Sequence, residues 1–343
     1  MRRLPILATA LLVSASGVRA DVPNIVVDIP PVFSLVSSVM QGVGTPKLLL
    51  RGNESPHNFA LRPSQRRDLG QADIIFWIGE GLTPWLEKAQ ASLTQTPISV
   101  ALGKQTGVVQ LSFREGAFFE AHDEHDEHDE HDGHDEVNGH TEHNHAETHE
   151  NAAAHDGKDH QDHAGHDHSG LDPHFWLDPE NAIHWIYTIA DILSQTDPEN
   201  AGTYYANATR TKASLELLNK NIAQQMAPHR AERFLIVHDA FQYFEARFGL
   251  AAQGAISDGH AAPPSAARIL AIRKLMQNQK ISCVFAEPGY NAKLLDNLIS
   301  ETSVRLKQLD PLGAGLPLDH TLYEAVLQNM ADMMVACFTN DEG

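Results

Sequence analysis

Short apolar, β-branched runs recur along the chain at Asn24–Val27, Lys47–Leu50, Ile74–Ile78 and Ile98–Val100. Helix-length segments separate them, such as Pro31–Gly42 and Ser64–Gln71, the second opened by the start signal Pro63-Ser64. Strand, helix, strand at this spacing predicts a parallel α/β layer. The pattern returns further on, with Phe234–Val237, Val284–Ala286 and Val304–Leu306 as strands and Ala240–Phe248, Ser265–Gln277 and Asn291–Glu301 as helices. Two similar α/β lobes with parallel sheets are therefore expected. Between them Tyr204, Ala208, Thr211, Leu215, Leu218, Ile222 and Met226 recur at steps of three or four. That stripe predicts a helix of about 30 residues from Pro198, roughly 45 Å long, joining the lobes and limiting their hinge motion.

One segment has no apolar period. Residues 121–169 contain 16 Asp and Glu, one Lys and 14 of the chain's 21 His, and so carry −15 of the formal charge of −20. With almost nothing to bury, this tract is expected to be disordered. Acidic residues alone would serve as a solvated spacer; the imidazoles point instead to metal binding, because they are borderline ligands suited to Zn, Cu or Ni. The acidic balance argues against nucleic acid as a partner, since a phosphate backbone requires the opposite field. The organisation read from the sequence is a signal peptide at 1–20, a first lobe at 21–197 containing the tract, a linking helix at 198–228 and a second lobe at 229–343.

The signal peptide rests on Arg2 and Arg3, the apolar stretch Leu4–Val13 and the small residues Val18 and Ala20 at the positions a signal peptidase reads. The apolar stretch is too short to span a bilayer, and no cysteine near the cleavage point suggests a lipid anchor, so a periplasmic location is expected. Cys283 and Cys337 are the only cysteines. An even pair in an exported chain favours a disulfide; a two-cysteine metal site is the weaker reading, because thiolate sites usually use closer spacing.

Seven His lie outside the tract. His57 is in the loop after the Lys47–Leu50 strand, His238 follows Phe234–Val237, and Asp310 follows the strand beginning at Val304. Groups at the carboxyl ends of parallel strands line the cleft where open α/β sheets bind ligands. His174 stands just before a helix signalled by Asp178-Pro179. His184 and His229 read as helical or exposed, and His260 and His320 as residues of polar loops. Taken singly, each of these His could equally be a hydrogen-bonded structural residue.

Five stretches sharpen the picture: Ser55-Pro56-His57-Asn58-Phe59-Ala60-Leu61-Arg62-Pro63-Ser64, Pro173-His174-Phe175-Trp176-Leu177, His238-Asp239-Ala240-Phe241-Gln242-Tyr243-Phe244, Val284-Phe285-Ala286-Glu287-Pro288 and Leu309-Asp310-Pro311-Leu312-Gly313. In this order they resemble the periplasmic zinc-binding proteins of high-affinity zinc ABC transporters, over nearly the whole mature chain and including the His-rich insertion and the two cysteines. The resemblance implies a two-lobed α/β fold with a long rigid helix and a metal held in the cleft by three His, here His57, His174 and His238. Manganese-preferring relatives place Glu where this chain has His238, so three imidazoles favour zinc. Asp310 matches a metal-ligating Asp of the wider family, whose place water or another acid takes in some zinc members. Some of those also carry Glu immediately before the first His; here that residue is Pro56.

The function so implied is capture of Zn²⁺ in the periplasm by a monomer and its transfer to a separate membrane permease, since the chain has no phosphate-binding loop. Two other classes compete. A zinc buffer or adhesin would act through the tract, with the lobes as scaffold. A zinc hydrolase could also use three His with an open fourth position, but the chain has no H-E-x-x-H or comparable motif carrying a general base, so a non-enzymatic role is expected.

Overall fold

The computed structural model describes residues 22–51, 54–114, 116, 118–119, 170–278, 280–300 and 302–340. The signal peptide read at 1–20 and the tract at 121–169 lie outside them.

The first half gives β1 (Ile25–Val27), α1 (Pro30–Val39), β2 (Lys47–Leu48), α2 (Pro63–Gly70), β3 (Ile74–Trp77), α3 (Pro84–Gln90) and β4 (Ile98–Ala101), followed by α4 (Pro179–Thr196). The long helix α5 spans Ala201–Met226. The second half gives β5 (Phe234–His238), α6 (Gln242–Phe248), β6 (Ala255–Ser257), α7 (Ala266–Asn278), β7 (Cys283–Ala286), α8 (Ala292–Ile299), β8 (Arg305–Gln308) and α9 (Leu322–Thr339). The strands form two parallel four-stranded sheets, β2-β1-β3-β4 and β6-β5-β7-β8. Both have the same winding, so the switch in strand order falls at β1/β3 in one and β5/β7 in the other.

The linking helix is shorter than its stripe predicts. Its α-helical part has 26 residues, about 39 Å at 1.5 Å per residue, with separate 3₁₀ turns at Pro198–Asn200 and Ala227–His229. At its C-terminal end Pro228 lacks the N–H that would carry the helix on. Its buried face consists of Tyr204, Asn207, Ala208, Leu215, Leu218, Ile222 and Met226. Asn207 enters the stripe because its amide donates to the carbonyls of Val39 and Gln41 at the end of α1, at 2.9 and 2.8 Å.

Alternation within the strands divides the apolar residues among three clusters. Val26, Ile75, Leu69 and Leu86 fill the outer face of the first sheet, and Leu235, Val284, Ile272 and Leu295 that of the second. The inner faces share one continuous core, from Ile25 and Val27 through Val32, Val36, Leu215 and Ile222 to Phe234, Ile236, Val326 and Met330. Helix α9 packs against both α1 and α5. The Cys283–Cys337 disulfide ties its far end to β7.

Polar groups seal this junction. The Tyr323 hydroxyl donates to the Trp176 carbonyl at 2.7 Å, Tyr323 N–H donates to Ser34 Oγ at 3.0 Å, and Trp176 Nε1 donates to the Pro311 carbonyl at 2.8 Å. Arg247 of α6 forms a two-pronged pair with Asp178, at 2.7 Å for each prong, while Asp178 caps α4. At the first sheet's switch point Asp28 accepts from the N–H groups of Ile29 and Ile78, at 2.8 and 2.9 Å. Burial pushes its carboxyl up to about 7. Among the described residues no helix is long and apolar enough to cross a membrane.

Because the sheets share one core, chemical denaturation is expected to give one cooperative transition. Tyr323→Phe should lower the unfolding free energy by about 1–3 kcal/mol, the usual cost of leaving a buried acceptor unpaired. The exposed control Tyr205→Phe should change it by about 0.5 kcal/mol or less. Urea melts of the two variants check this; equal losses would show that the Tyr323–Trp176 bond does not hold the junction.

Candidate metal centre

Three imidazoles from distant parts of the chain converge between the sheets. His57 lies in the loop after β2, a segment closed by the Arg62–Glu54 ion pair and by Glu54 accepting from Arg51 N–H at 3.2 Å. Trp85 Nε1 holds the Pro56 carbonyl at 2.7 Å and so fixes the approach to His57. Glu54 is thus occupied in shaping the loop. His174 precedes the 3₁₀ turn Phe175–Leu177 that leads into α4. His238 is the last residue of β5, one position further into the strand than the sequence pattern places it.

One ligand atom from each of the three lies within 4.8 Å of the others. The ring centroids are 5.5 Å apart for His57–His174, 5.5 Å for His57–His238 and 5.1 Å for His174–His238. A four-coordinate ion with Zn–N near 2.0–2.1 Å requires imidazole centroids about 5 Å apart. The three rings therefore already have nearly the spacing such an ion needs.

Each ring is prepared differently. Asp172 Oδ1 pairs with His174 Nδ1 at 2.7 Å and accepts from its backbone N–H at 3.0 Å, which leaves Nε2 to face the cleft. Glu287, just beyond β7, pairs with His238 Nδ1 at 2.9 Å, and the Gly259 carbonyl lies 3.2 Å from His238 Nε2. His57 Nε2 is buried and makes no hydrogen bond, an orphaned acceptor of the kind a cation would satisfy. Carboxylates on the far nitrogens are the usual means of orienting metal-binding imidazoles. Of the two acids the motifs bring near, Glu287 has this role, whereas Asp239 pairs with Arg114. Asp172 belongs to the His174 motif region but carries no signal that separates it from an ordinary turn residue.

The rings also differ in charge. Burial, with the imidazoles of His174, His238 and His260 nearby, holds His57 well below the ordinary histidine range, and burial does the same to His174. For His238 burial works in the same direction but is outweighed by the Glu287 carboxylate, and the ring is pushed up to about 9. Burial pushes Asp172 up to about 7. Two of the three rings are thus held neutral at pH 7, and His238 is held protonated.

The cleft has a volume of about 370 Å³ and includes Glu287, Tyr290 and Asp310 in its wall. Asp310 is not in the converging group. Its Oδ1 accepts from Leu312 and Gly313 N–H at 3.0 and 2.8 Å, and its Oδ2 from Ala314 N–H at 2.6 Å. His260, read from the sequence as a residue of a polar loop, lies close by, its ring 6.5 Å from that of His57 and 4.4 Å from Phe113. Among the other His, the His320 ring faces Gln41 and its carbonyl accepts from Ser38, and the His229 ring packs on Phe338, all away from the cleft.

Residues 111–114, 118, 119 and 170–172 join this site to the second lobe. Tyr243 of α6 accepts from Leu111 N–H and donates to the Asp172 carbonyl, each at 2.9 Å. Phe118 bridges antiparallel to Gly254. Arg114 pairs with both Asp239 and Glu245, with its side chain 16% exposed and theirs 4% and 3%.

Comparison with known proteins gives a consistent result. The family model for zinc-uptake complex component A, periplasmic, matches residues 25–337. The high-affinity zinc uptake system protein ZnuA of Brucella suis biovar 1 is 40% identical over 335 residues, covering 97% of each chain. The protein of the same name from Paracoccus denitrificans is 40% identical over 337 residues, covering 98% of each. A crystal structure of ZnuA superposes with a TM-score of 0.66 at 23% identity, over 91% of this chain and 99% of that one, a likeness of fold.

Arg114→Met would leave the carboxylates of Asp239 and Glu245 buried without their partner. A loss of roughly 3–5 kcal/mol is expected, the range for breaking a buried pair from one side. Arg114→Lys should recover only part, since one ammonium cannot match two carboxylates with a planar fork. Denaturation of both variants tests this, and a loss below about 1 kcal/mol for Arg114→Met would mean that the network contributes little.

Proposed function

The chain belongs to the family of periplasmic zinc-uptake components, and from that premise we propose that it captures Zn²⁺ with His57, His174 and His238 and delivers the ion to the membrane permease of a zinc ABC transporter. The observation that carries this reading is the spacing of the three rings, which suits one tetrahedral ion before any ion is bound. Three imidazoles form a borderline donor set suited to zinc rather than to manganese or magnesium. The chain is exported through its N-terminal signal and acts as a monomer in the periplasm. It serves as a carrier: the acids beside the cleft pair with histidine nitrogens or backbone N–H groups, which suits holding an ion better than activating water on it. Asp310 is the acid the family pattern suggests for the fourth position, but it would have to give up hydrogen bonds from three backbone N–H groups to turn toward the ion.

His238→Ala in the full chain should weaken the tightest zinc equivalent by more than the roughly 10–100-fold typical of losing an orienting partner, and His57→Ala and His174→Ala should do the same. Chelator competition that reads only the tightest equivalent keeps the tract's 14 imidazoles out of the measurement. Wild-type affinity in His238→Ala would remove the site.

Zinc and a proton compete for His238 Nε2, so affinity should rise with pH and level off above the value of about 9 that Glu287 imposes on the ring. At about pH 8, where His57 and His174 are already neutral, binding should release about one proton rather than three. Calorimetry in buffers of different ionisation enthalpy counts the protons, and a release of three would contradict the asymmetric charge state.

A further inference from the structure

We propose that the hollow between α2 and α3 is the surface on which the chain docks to its membrane permease, and that the docking segment is an acidic one with an apolar tip. The proposal rests on the transport reading and adds a place and a chemistry for the contact. The hollow has a volume of about 460 Å³ and shares no lining residue with the zinc cleft. The two are nevertheless walled by adjoining parts of one loop, with Asn58 lining the cleft and Phe59 the hollow. Leu61, Leu69, Trp85, Ala89 and Leu93 of its lining belong to the apolar cluster on the outer face of the first sheet. Only Leu69 among them is fully buried, so this edge of the cluster is left open. Phe59 leans on Trp85 there, with ring centroids 5.1 Å apart.

The rim is basic on an acidic protein. Arg66 and Lys88 line the hollow and are exposed, with Arg67 exposed beside them on α2. Among the described residues none of these three side chains forms an ion pair, whereas Lys47, Arg62 and Lys104 of the same lobe each pair with a carboxylate. An apolar hollow rimmed by unneutralised cations complements a segment in which Asp or Glu flanks an apolar residue. A second copy fits poorly, because two chains of formal charge −20 repel each other. A bare membrane fits poorly too, since lipid-binding patches gather about four to eight basic residues.

The place of the hollow singles out the receiver of the ion as the partner. Trp85 lines it and also donates through Nε1 to the carbonyl of Pro56, the residue before His57, at 2.7 Å. A side chain entering the hollow therefore meets the indole that braces the His57 loop, and reaches that loop without entering the cleft. With the inner faces of both sheets in one core, a partner that takes the ion has to act on such a loop rather than spread the lobes.

The test measures docking of the zinc-loaded full chain to its cognate permease and ATPase in phosphatidylcholine nanodiscs. Reversing both rim charges, Arg66→Glu with Lys88→Glu, should weaken docking by roughly 10-fold or more, mainly by slowing association, while zinc affinity and the unfolding midpoint stay at their wild-type values. Lys220→Glu, at an exposed position on α5, should leave docking unchanged. In an otherwise wild-type chain, p-benzoylphenylalanine in place of Ser92, an exposed residue of the hollow, should cross-link to a permease peptide that carries Asp or Glu. Cross-links confined to lipid, to a second copy or to residues 121–169 overturn the proposal, and so does equally tight binding to empty nanodiscs containing phosphatidylglycerol. A double variant that docks like wild type overturns this surface and leaves the transport reading standing, whereas a wild-type chain that docks to no permease overturns both.

Discussion

Imidazoles carried on two different sheets can meet at the spacing of one ion only if the sheets cannot drift apart. That constraint is met by the continuous apolar core between their inner faces, in which Ile25 and Val27 of one sheet and Phe234 and Ile236 of the other belong to a single buried cluster with α1, α5 and α9. Helix α9 is central to it. Its sequence is far from α1, yet it packs there, and its last turns are bonded covalently to β7. The helix thus spans the junction that α5 alone would leave as a single connection. Parting the lobes would expose Trp176 and Tyr323 and break buried hydrogen bonds along with them.

Within that fixed frame the three like side chains of the site have unlike surroundings. All three are imidazoles, but Asp172 backs one, Glu287 another, and His57 Nε2 makes no hydrogen bond. The Glu287 pair holds a proton on His238 where burial alone would remove it. His57 and His174, less able to keep a proton, are ready for a cation. The centre therefore carries less positive charge than three protonated rings would, and a divalent ion meets correspondingly less repulsion on approach.

Much of this was legible in the sequence, for identifiable reasons. The parallel strands announced themselves because both faces are buried and their sequences are therefore runs of β-branched residues. Strand β6 was missed: Ala255-Ile256-Ser257 is a short edge strand with almost no apolar run. Helix α5 was found but drawn too long, since an apolar stripe does not show where proline interrupts the hydrogen-bond ladder. His57, His174 and His238 stood in motifs at the ends of strands and before a helix, and the structure brings them together. Asp310 was placed correctly on the cleft wall, but a sequence cannot show that the following three residues would direct their N–H groups at its carboxylate. Arg114 was invisible because its partners are distant in sequence, Asp239 lying 125 positions away, whereas Asp172, only two positions before its partner His174, carried no signal that separates it from an ordinary turn residue.

The shared core also limits how an ion can come and go. If the lobes are tied through α5, α9 and a buried aromatic junction, exchange cannot depend on their swinging wide apart, and the movable parts are the loops at the strand ends. Two of these face the converging imidazoles. The loop before α2 is braced by Glu54 and Trp85, whereas the turn after β6 is held to the centre through the Gly259 carbonyl. The braced loop suits His57 to a fixed role, because a rigid approach lets the ring wait in position without losing conformational entropy when the ion arrives. The turn after β6 is held to His238 Nε2 by a single contact, through the Gly259 carbonyl.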